Sequence, residues 1–253
     1  MLLLTRPLKK LDHLVSFYYN KIDCLVNMIL GQPETMMAAK QATAKVASKR
    51  SIREENEAAI LKAAEEVFAE YGFGGASTAR IAERAGIPKA NLHYYFPTKE
   101  DLYREVLDKI FTVWLEAAES FDDCEDPIEA LTRYIHKKMD LSRTHPMGSK
   151  VWANEIIQRA PVIQDYLEKE LRQWTASRAA IIRRWIEAGR IDPIDPDYLL
   201  YMIWATTQHY ADFGHQIKTL NAGEELSEDQ WITAKDTVTR IILRGIGAID
   251  GDD

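Results

Sequence analysis

A cluster of polar, basic and aromatic side chains lies within residues 77–100, STARIAERAGIPKANLHYYFPTKE. Asn91, beside the short side chain of Ala90, carries an amide suited to hydrogen-bonding the edge of an adenine base. Hydroxyl and ammonium groups around it are typical phosphate contacts, which fix the register of a protein on a duplex. The candidate phosphate contacts are Thr78, Lys89, Tyr94, Tyr95 and Lys99. The chemistry of this cluster is that of a nucleic-acid surface.

A second set of polar groups lies in the apolar segment IWATTQHYADF, residues 203–213. Trp204, Thr207, Gln208 and Ala211 follow the spacing of one helical face. A buried amide without a partner costs about 1 to 3 kcal/mol, so these groups need partners. Neighbouring helices or a buried water would satisfy them in a purely structural role. A bound small molecule would do so in a functional one.

Two short helices joined by a tight turn must position the first cluster. Thr78 is suited to cap the first of these helices, Gly86 to take the left-handed turn conformation, and Pro88 to begin the second helix. The first helix would bury Ile81, Ala82 and Ala85, and the second would point Lys89, Asn91, His93 and Tyr94 outward. A preceding apolar stripe with helical spacing supplies a third helix, from Ile60, Leu61, Ala64, Val67, Phe68 and Tyr71. The pattern predicts a three-helix helix-turn-helix head.

The charge of the chain is concentrated in one place. The net charge is −7, which argues against a generally basic nucleic-acid coat. Residues 38–53 nevertheless hold five basic residues and no acidic one. A run of this kind is either a solvated tail or, directly before a helix-turn-helix, an arm on phosphates or in the minor groove. On the second interpretation, Lys49, Arg50 and Arg53 are candidate DNA contacts.

Catalytic and metal-binding motifs are not found in the sequence. The histidines are scattered, and none stands in a nucleophile elbow, a zinc motif or a glycine-rich phosphate loop. Cys24 and Cys124 lack the spacing of a disulfide framework or a zinc site. We therefore expect no enzyme, no metal and no cofactor.

The sequence also bears on location and on the start of the chain. No apolar run approaches the roughly 18 residues of a membrane span, and Lys9 and Lys10 follow the first leucines instead of preceding them, unlike a secretory signal. A cytoplasmic protein without membrane contact is expected.

Apolar residues between Leu11 and Ile29 have helical spacing, which predicts an amphipathic helix. Alternatively, translation begins at Met36 or Met37, so residues 1–37 form an extension of uncertain status.

The remaining periodic segments predict an all-α fold. Helices are expected over residues 99–120, 128–144, 148–159, 162–189, 197–217 and 227–245, separated by an acidic loop near 121–127 and by proline-containing turns. Residues 198–205 are apolar on every side, which requires cover on both faces. This predicts a homodimer in which the last two helices pair across a two-fold axis as a four-helix bundle. The tail from residue 248 is acidic and predicted to be unstructured.

These residues carry a resemblance to the TetR family of repressors. The resemblance covers residues 53–115 and lies in Ile81-Ala82, Ala85-Gly86-Ile87, the segment 91–96 and Thr98-Lys99-Glu100. It implies a head over 54–100 that binds double-stranded operator DNA and a helical ligand-binding and dimerisation domain over 101–247. Pro88 and His93 depart from the commoner family pattern, where a hydroxyl residue and a tyrosine stand.

Within that family, most of residues 53–245 is similar to the pyrimidine-utilisation repressors, which respond to uracil and thymine. That resemblance implies Trp114 and Gln208 as the main ligand contacts, and Glu155, Trp204, Thr207 and Tyr210 as weaker ones. A glutamine amide matches part of the donor and acceptor edge of uracil, and an indole covers its flat face. The expected function is repression relieved by a pyrimidine base. The alternatives are a repressor that responds to another small molecule and a helical interaction protein that does not bind DNA.

Overall fold

A computed structural model describes residues 33–117 and 124–249, with side chains from residue 53 onward. Its regular elements in these ranges are helices, which confirms the predicted all-α class. In chain order they are α1 Pro33–Gly75, α2 Thr78–Arg84, α3 Lys89–Tyr95, α4 Lys99–Ala117, α5 Pro127–Thr144, α6 Pro146–Ile157, α7 Gln164–Tyr166, a π-helical stretch Leu167–Leu171, α8 Arg172–Glu187, α9 Pro196–Asp212, α10 Gly214–Leu220 and α11 Glu228–Gly245. The predicted helix over 11–29, most of the acidic loop and the last four residues lie outside the described ranges.

Helix α1 includes the residues that the sequence predicts as a basic arm. The backbone is helical from Pro33 onward, so residues 38–53 are part of a helix, and their action as an arm on DNA stays a prediction. The composition explains this, because alanine, lysine and glutamine favour a helix and neither glycine nor proline interrupts them. The chain divides into two compact units, Met1–Asn56 and Glu57–Asp253.

The head, α1 from Glu57 onward through the first part of α4, is held by a continuous apolar core. Helix α1 is kinked at Gly72, whose φ of 65° ends its first regular part. Helix α2 begins at Thr78, but Ser77 is the cap, because its hydroxyl accepts a hydrogen bond from the Arg80 backbone N–H at 3.3 Å. The predicted cap was therefore wrong by one residue. The core side chains include Ile60, Val67, Phe68, Ile81, Leu92, Leu102 and Tyr103.

A second core fills the C-terminal part of the chain. It combines residues of α5, α8, α9 and α11, among them Leu131, Ile135, Met139, Ile182, Trp185, Leu200, Ile203 and Ile242. Helix α6 packs against both α9 and α4, and its Val151 and Trp152 join the core of the head. Helix α4 thus has its beginning among the helices of the head and its end against the helices of the second domain.

One predicted helix is broken. The expected helix over 197–217 ends at Asp212, and α10 begins at Gly214 after Phe213 leaves the helical conformation with φ −111° and ψ 24°. Gly214 explains the break, because glycine is among the weakest helix formers. In the ranges that the structure covers, none of the helices is long and apolar enough to cross a bilayer.

Candidate functional site

Helix α3 presents the first cluster at the surface. Leu92 is fully buried and Phe96 nearly so, and they anchor the helix on the core of the head. Lys89, Ala90, Asn91 and Tyr94 are exposed, with Tyr94 exposed by 73%. The helix is therefore attached by its apolar side and leaves an amide, an ammonium and a phenol free to meet a partner.

The other predicted contacts of the head have mixed positions. Thr78 and Tyr95 are half-buried, and the Tyr95 ring lies 5.4 Å from that of Tyr94. The Lys99 ammonium donates to the backbone carbonyls of Phe73 at 2.8 Å and Ala76 at 3.2 Å. Lys99 therefore ties α4 to the turn after α1, a structural role that the sequence did not reveal. Its contact with phosphate stays a prediction.

Of the three predicted DNA contacts in the basic segment 38–53, the structure describes one side chain. Arg53 is exposed, whereas the side chains of Lys49 and Arg50 lie outside the described set. The role of these residues in DNA contact is a prediction that the structure does not test.

A pocket opens among helices α4, α5, α6, α8 and α9. It contains about 480 Å³ of space free of protein atoms, counting the solvent at its open mouth. It brings together Trp114, Trp204 and Gln208, three of the residues predicted to contact a ligand. The other lining residues are Phe111, Leu115, Tyr134, Lys138, Trp152, Leu171 and Trp174.

Indole rings form much of the pocket wall. Trp114 and Trp152 meet edge to face with ring centroids 5.2 Å apart. Trp174 and Trp204 lie 6.1 Å apart and are tilted by 37°. The Trp204 indole N–H donates to the Tyr134 hydroxyl at 2.8 Å, which fixes both rings. Such a wall suits a flat, apolar-faced molecule.

Polar atoms in this wall lack partners among the described residues. The indole N–H of Trp174 is buried and makes no hydrogen bond there. The Gln208 side chain is half-buried, and within residues 53–117 and 124–249 no hydrogen bond to its amide is found. Because polar groups shielded from water are normally paired, the half-buried amide of Gln208 suits a polar ligand that would complete its hydrogen bonds.

Lys138 places a positive charge on the same wall. Only 5% of the residue is exposed, and its Nζ lies 4.5 Å from the centroid of the Trp114 ring. Burial lowers the pKa of Lys138 to about 8, and nearby Asp212 opposes this shift. Burial in turn raises the pKa of Asp212, whose Oδ1 accepts a hydrogen bond from the Ser149 hydroxyl at 2.6 Å.

Three predicted ligand contacts lie elsewhere. Glu155 is a buried residue of α6, and its carboxylate accepts hydrogen bonds from the Val162 and Ile163 backbone N–H groups and from the Tyr103 hydroxyl. Thr207 is fully buried, and its hydroxyl donates to the Ile203 carbonyl at 2.7 Å. Tyr210 packs its ring 5.5 Å from Trp231. None of the three lines the pocket, because intramolecular partners engage each of them.

Several residues that line the pocket were not predicted from the sequence. Trp152 and Trp174 lie on helices whose apolar stripes predict core positions, so nothing marked them as pocket residues. A signal did exist for Lys138, because it interrupts the buried stripe of α5 formed by Leu131, Tyr134, Ile135 and Met139. A lysine is almost never fully buried without a reason.

Family models match both parts of the chain. A model of the bacterial regulatory proteins of the tetR family matches residues 60–106. A model of the C-terminal region of YcdC-like proteins matches residues 107–249. The two matches meet inside α4, the helix that the head and the pocket share.

Relatives in sequence agree with these models. The transcriptional regulator RutR of Escherichia coli K12 is 39% identical over 188 residues, covering 74% of this chain and 89% of the relative. The transcriptional repressor NicS of Pseudomonas putida is 26% identical over 196 residues, covering 74% and 90%.

Solved structures share the fold. The ketosteroid transcriptional regulator KstR2 of Mycobacterium tuberculosis superposes with a TM-score of 0.60 at 22% identity, covering 75% of this chain and 94% of that one. AibR in complex with isovaleryl coenzyme A and operator DNA gives a TM-score of 0.60 at 18% identity, covering 73% and 97%.

Proposed function

The chain belongs to the tetR family of bacterial regulatory proteins, and we propose that uracil or thymine relieves its repression of genes for pyrimidine breakdown. DNA-binding transcriptional repression itself follows from the family. The chain is accordingly a regulator and not an enzyme. The 39% identity to the transcriptional regulator RutR and the resemblance of residues 53–245 to the pyrimidine-utilisation repressors support the choice of effector.

The observation that carries the proposal is the pocket that holds Trp114 and Gln208 together. Uracil has two flat faces and an edge that alternates carbonyl oxygens with an N–H. Trp114 and the neighbouring indoles suit the faces, and the amide of Gln208 offers one donor and one acceptor to the edge.

A two-fold dimer is the second part of the proposal. On α9, Tyr201 is 50% exposed and Met202 56%, and on α11 Ile241 is 64% exposed. Exposed apolar residues on the last long helices favour pairing with a second copy, because a contiguous apolar surface is costly in water. A dimer would carry two heads, matching two half-sites of an operator.

Helix α4 provides the route between ligand and DNA. Leu102, Tyr103 and Val106 lie in the core of the head, while Phe111 and Trp114 line the pocket. A ligand acts on DNA only by binding one arrangement of the heads better than another. A coupling free energy of about 1 to 3 kcal/mol would change operator affinity about 5-fold to 150-fold.

The test is binding of the purified protein to DNA from its own promoter region at fixed salt, with and without uracil and thymine. We expect a pyrimidine to weaken the complex. Gln208→Ala should abolish this response while leaving binding of the unliganded protein intact. Gln173→Ala, which removes an exposed glutamine beside Trp174, is the matched control and should respond as the wild type does.

The result also distinguishes the alternatives. Tight DNA binding with no response to either base would leave the repressor and exclude the pyrimidine. Lys89→Ala combined with Asn91→Ala tests the surface of α3, and we expect it to remove salt-sensitive DNA binding. Unchanged binding by that double variant would contradict the proposed DNA surface.

A further inference from the structure

Lys138 is a charged group for which the fold provides no full counterpart. No hydrogen bond or ion pair to its Nζ is found among residues 53–117 and 124–249, and its only ring contact there is with Trp114. A buried ammonium is costly unless it is paired, because it has lost its hydration. Since Lys138 lines the pocket, a ligand can reach the charge that the protein leaves incompletely paired.

Titratable groups around Lys138 do not cancel this charge. The carboxylate of Asp212 on α9 favours the charged form of Lys138, but it also accepts a hydrogen bond from the Ser149 hydroxyl of α6. Lys150 and His209 offset the charge of Asp212. The uncharged Tyr134 hydroxyl of α5 accepts a hydrogen bond from the Trp204 indole N–H. Arg178 of α8, which also acts on Tyr134, adds a further positive charge. From α4 the neighbour is the uncharged Trp114.

The polar atoms open to a ligand are mainly donors. Lys138 Nζ and the Gln208 amide N–H can donate, while the Gln208 amide oxygen can accept. Uracil itself has as many N–H donors as carbonyl acceptors. Removing the imide proton converts one donor into an acceptor and spreads a negative charge over the ring nitrogen and the two flanking oxygens. The conjugate base therefore matches this wall better than the neutral base does.

Building on the proposed function, we propose that the pocket binds the conjugate base of an acidic pyrimidine imide, with Lys138 as its counter-ion. The ring N–H proton passes to the solvent buffer, Lys138 keeps its own proton, and no bond between heavy atoms changes. Affinity should then increase with the acidity of the ligand at constant shape. Selectivity among flat heterocycles would depend on this acidity as well as on fit.

The titration of Lys138 agrees with this geometry. With a pKa of about 8, the residue is still mostly protonated at neutral pH and has its charge available. A bound anion would favour the charged form and raise that pKa. The complex of lysine and imide anion holds one proton in total. At low pH the free lysine and the free imide hold two protons together, and at high pH they hold none. Affinity should therefore be greatest between the pKa values of the free ligand and the free lysine.

Isothermal titration calorimetry of the full chain with uracil and 5-fluorouracil tests the proposal. Fluorine replaces a ring hydrogen with little change in size but makes the imide more acidic. At pH 7 we expect 5-fluorouracil to bind about tenfold tighter, the effect of one pKa unit. Titrations in two buffers of different ionisation enthalpy should show proton release on binding.

Lys138→Met should remove both the preference and the proton release, and Lys138→Gln should do the same with a polar side chain. Lys137→Met, at an exposed position one residue earlier, should behave as the wild type. If both bases bind the wild type equally and without proton release, the inference is overturned and the proposed function stands. If neither base binds, the proposed function fails as well.

Discussion

At the scale of single residues, Lys138 connects ligand chemistry with the stability of the fold. Its pKa in the folded chain is about 8, below the ordinary value of 10.5. Between these values the unfolded chain binds more protons, so stability should rise with pH across this window. Below pH 8 the folded state carries the full cost of the buried charge, about 3 kcal/mol for 2.5 pKa units.

Lys138→Met should therefore stabilise the unliganded protein at pH 7, by up to about 3 kcal/mol. The gain should shrink as the pH approaches 10.5, because the unfolded lysine then loses its proton too. Urea denaturation of both proteins at pH 7 and 9.5 measures the difference. A less stable variant at pH 7 would show that Lys138 contributes to the fold through contacts that its charge does not explain.

Glu155, unlike Lys138, is expected to stabilise the fold, because its carboxylate holds the segment after α6 in place. It accepts hydrogen bonds from the Val162 N–H at 2.7 Å, the Ile163 N–H at 3.3 Å and the Tyr103 hydroxyl at 3.1 Å. Burial and the charge of Glu155 together raise the pKa of Tyr103. Glu155→Ala leaves these donors unpaired and should destabilise the chain by about 2 to 4 kcal/mol. Chemical denaturation measures the loss, and a change below 0.5 kcal/mol would be inconsistent with this role.

At the scale of elements, α4 begins with a reciprocal cap. The Thr98 hydroxyl accepts the Asp101 N–H at 3.0 Å, and the Asp101 carboxylate accepts the Thr98 N–H at 3.2 Å. This arrangement satisfies donors that a helix start otherwise leaves unpaired. The cap matters beyond the helix itself, because α4 supplies residues to both the core of the head and the pocket.

Thr98→Ala should destabilise the protein by about 1 kcal/mol through loss of this cap. Thr112→Ala is the matched control on the same helix, where the hydroxyl only bonds the Asp108 carbonyl one turn earlier. That variant should lie within about 0.5 kcal/mol of the wild type, as usual for an exposed position. Thermal unfolding of the two variants under the same conditions shows whether stability is lost with the cap or with any threonine of this helix.

At the scale of the whole molecule, the exposed apolar faces of α9 and α11 set the expected assembly. Tyr201→Asp combined with Ile241→Asp should convert the proposed dimer to a monomer, since two charges on each copy would face each other across the two-fold axis. Sedimentation velocity measures the mass, and operator affinity should fall because one head meets one half-site. Ile157→Asp, at an exposed position on α6, is the control and should leave the mass unchanged. A double variant that sediments like the wild type would place the interface elsewhere.

The sequence by itself determined the features that depend on neighbouring residues. Gly86 takes its positive φ of 67°, and helix α3 begins after Pro88, because turn and helix-start preferences act over a few residues. The resemblance to a family and the all-α class follow from signals of the same local kind. Even so, local signals leave ambiguities of one residue, and geometry alone selected Ser77 over Thr78 as the cap.

Only the tertiary structure decided the composition of the pocket. Its residues come from α4, α5, α6, α8 and α9, which are far apart in the sequence, and no helical period records which of them meet. Trp152 and Trp174 have the pattern of core residues, and Lys138 interrupts an apolar stripe without showing which helices bury it. Glu155 and Lys99 found partners within the chain for the same reason. Burial and pairing are properties of packing, and packing brings together residues that the sequence keeps apart.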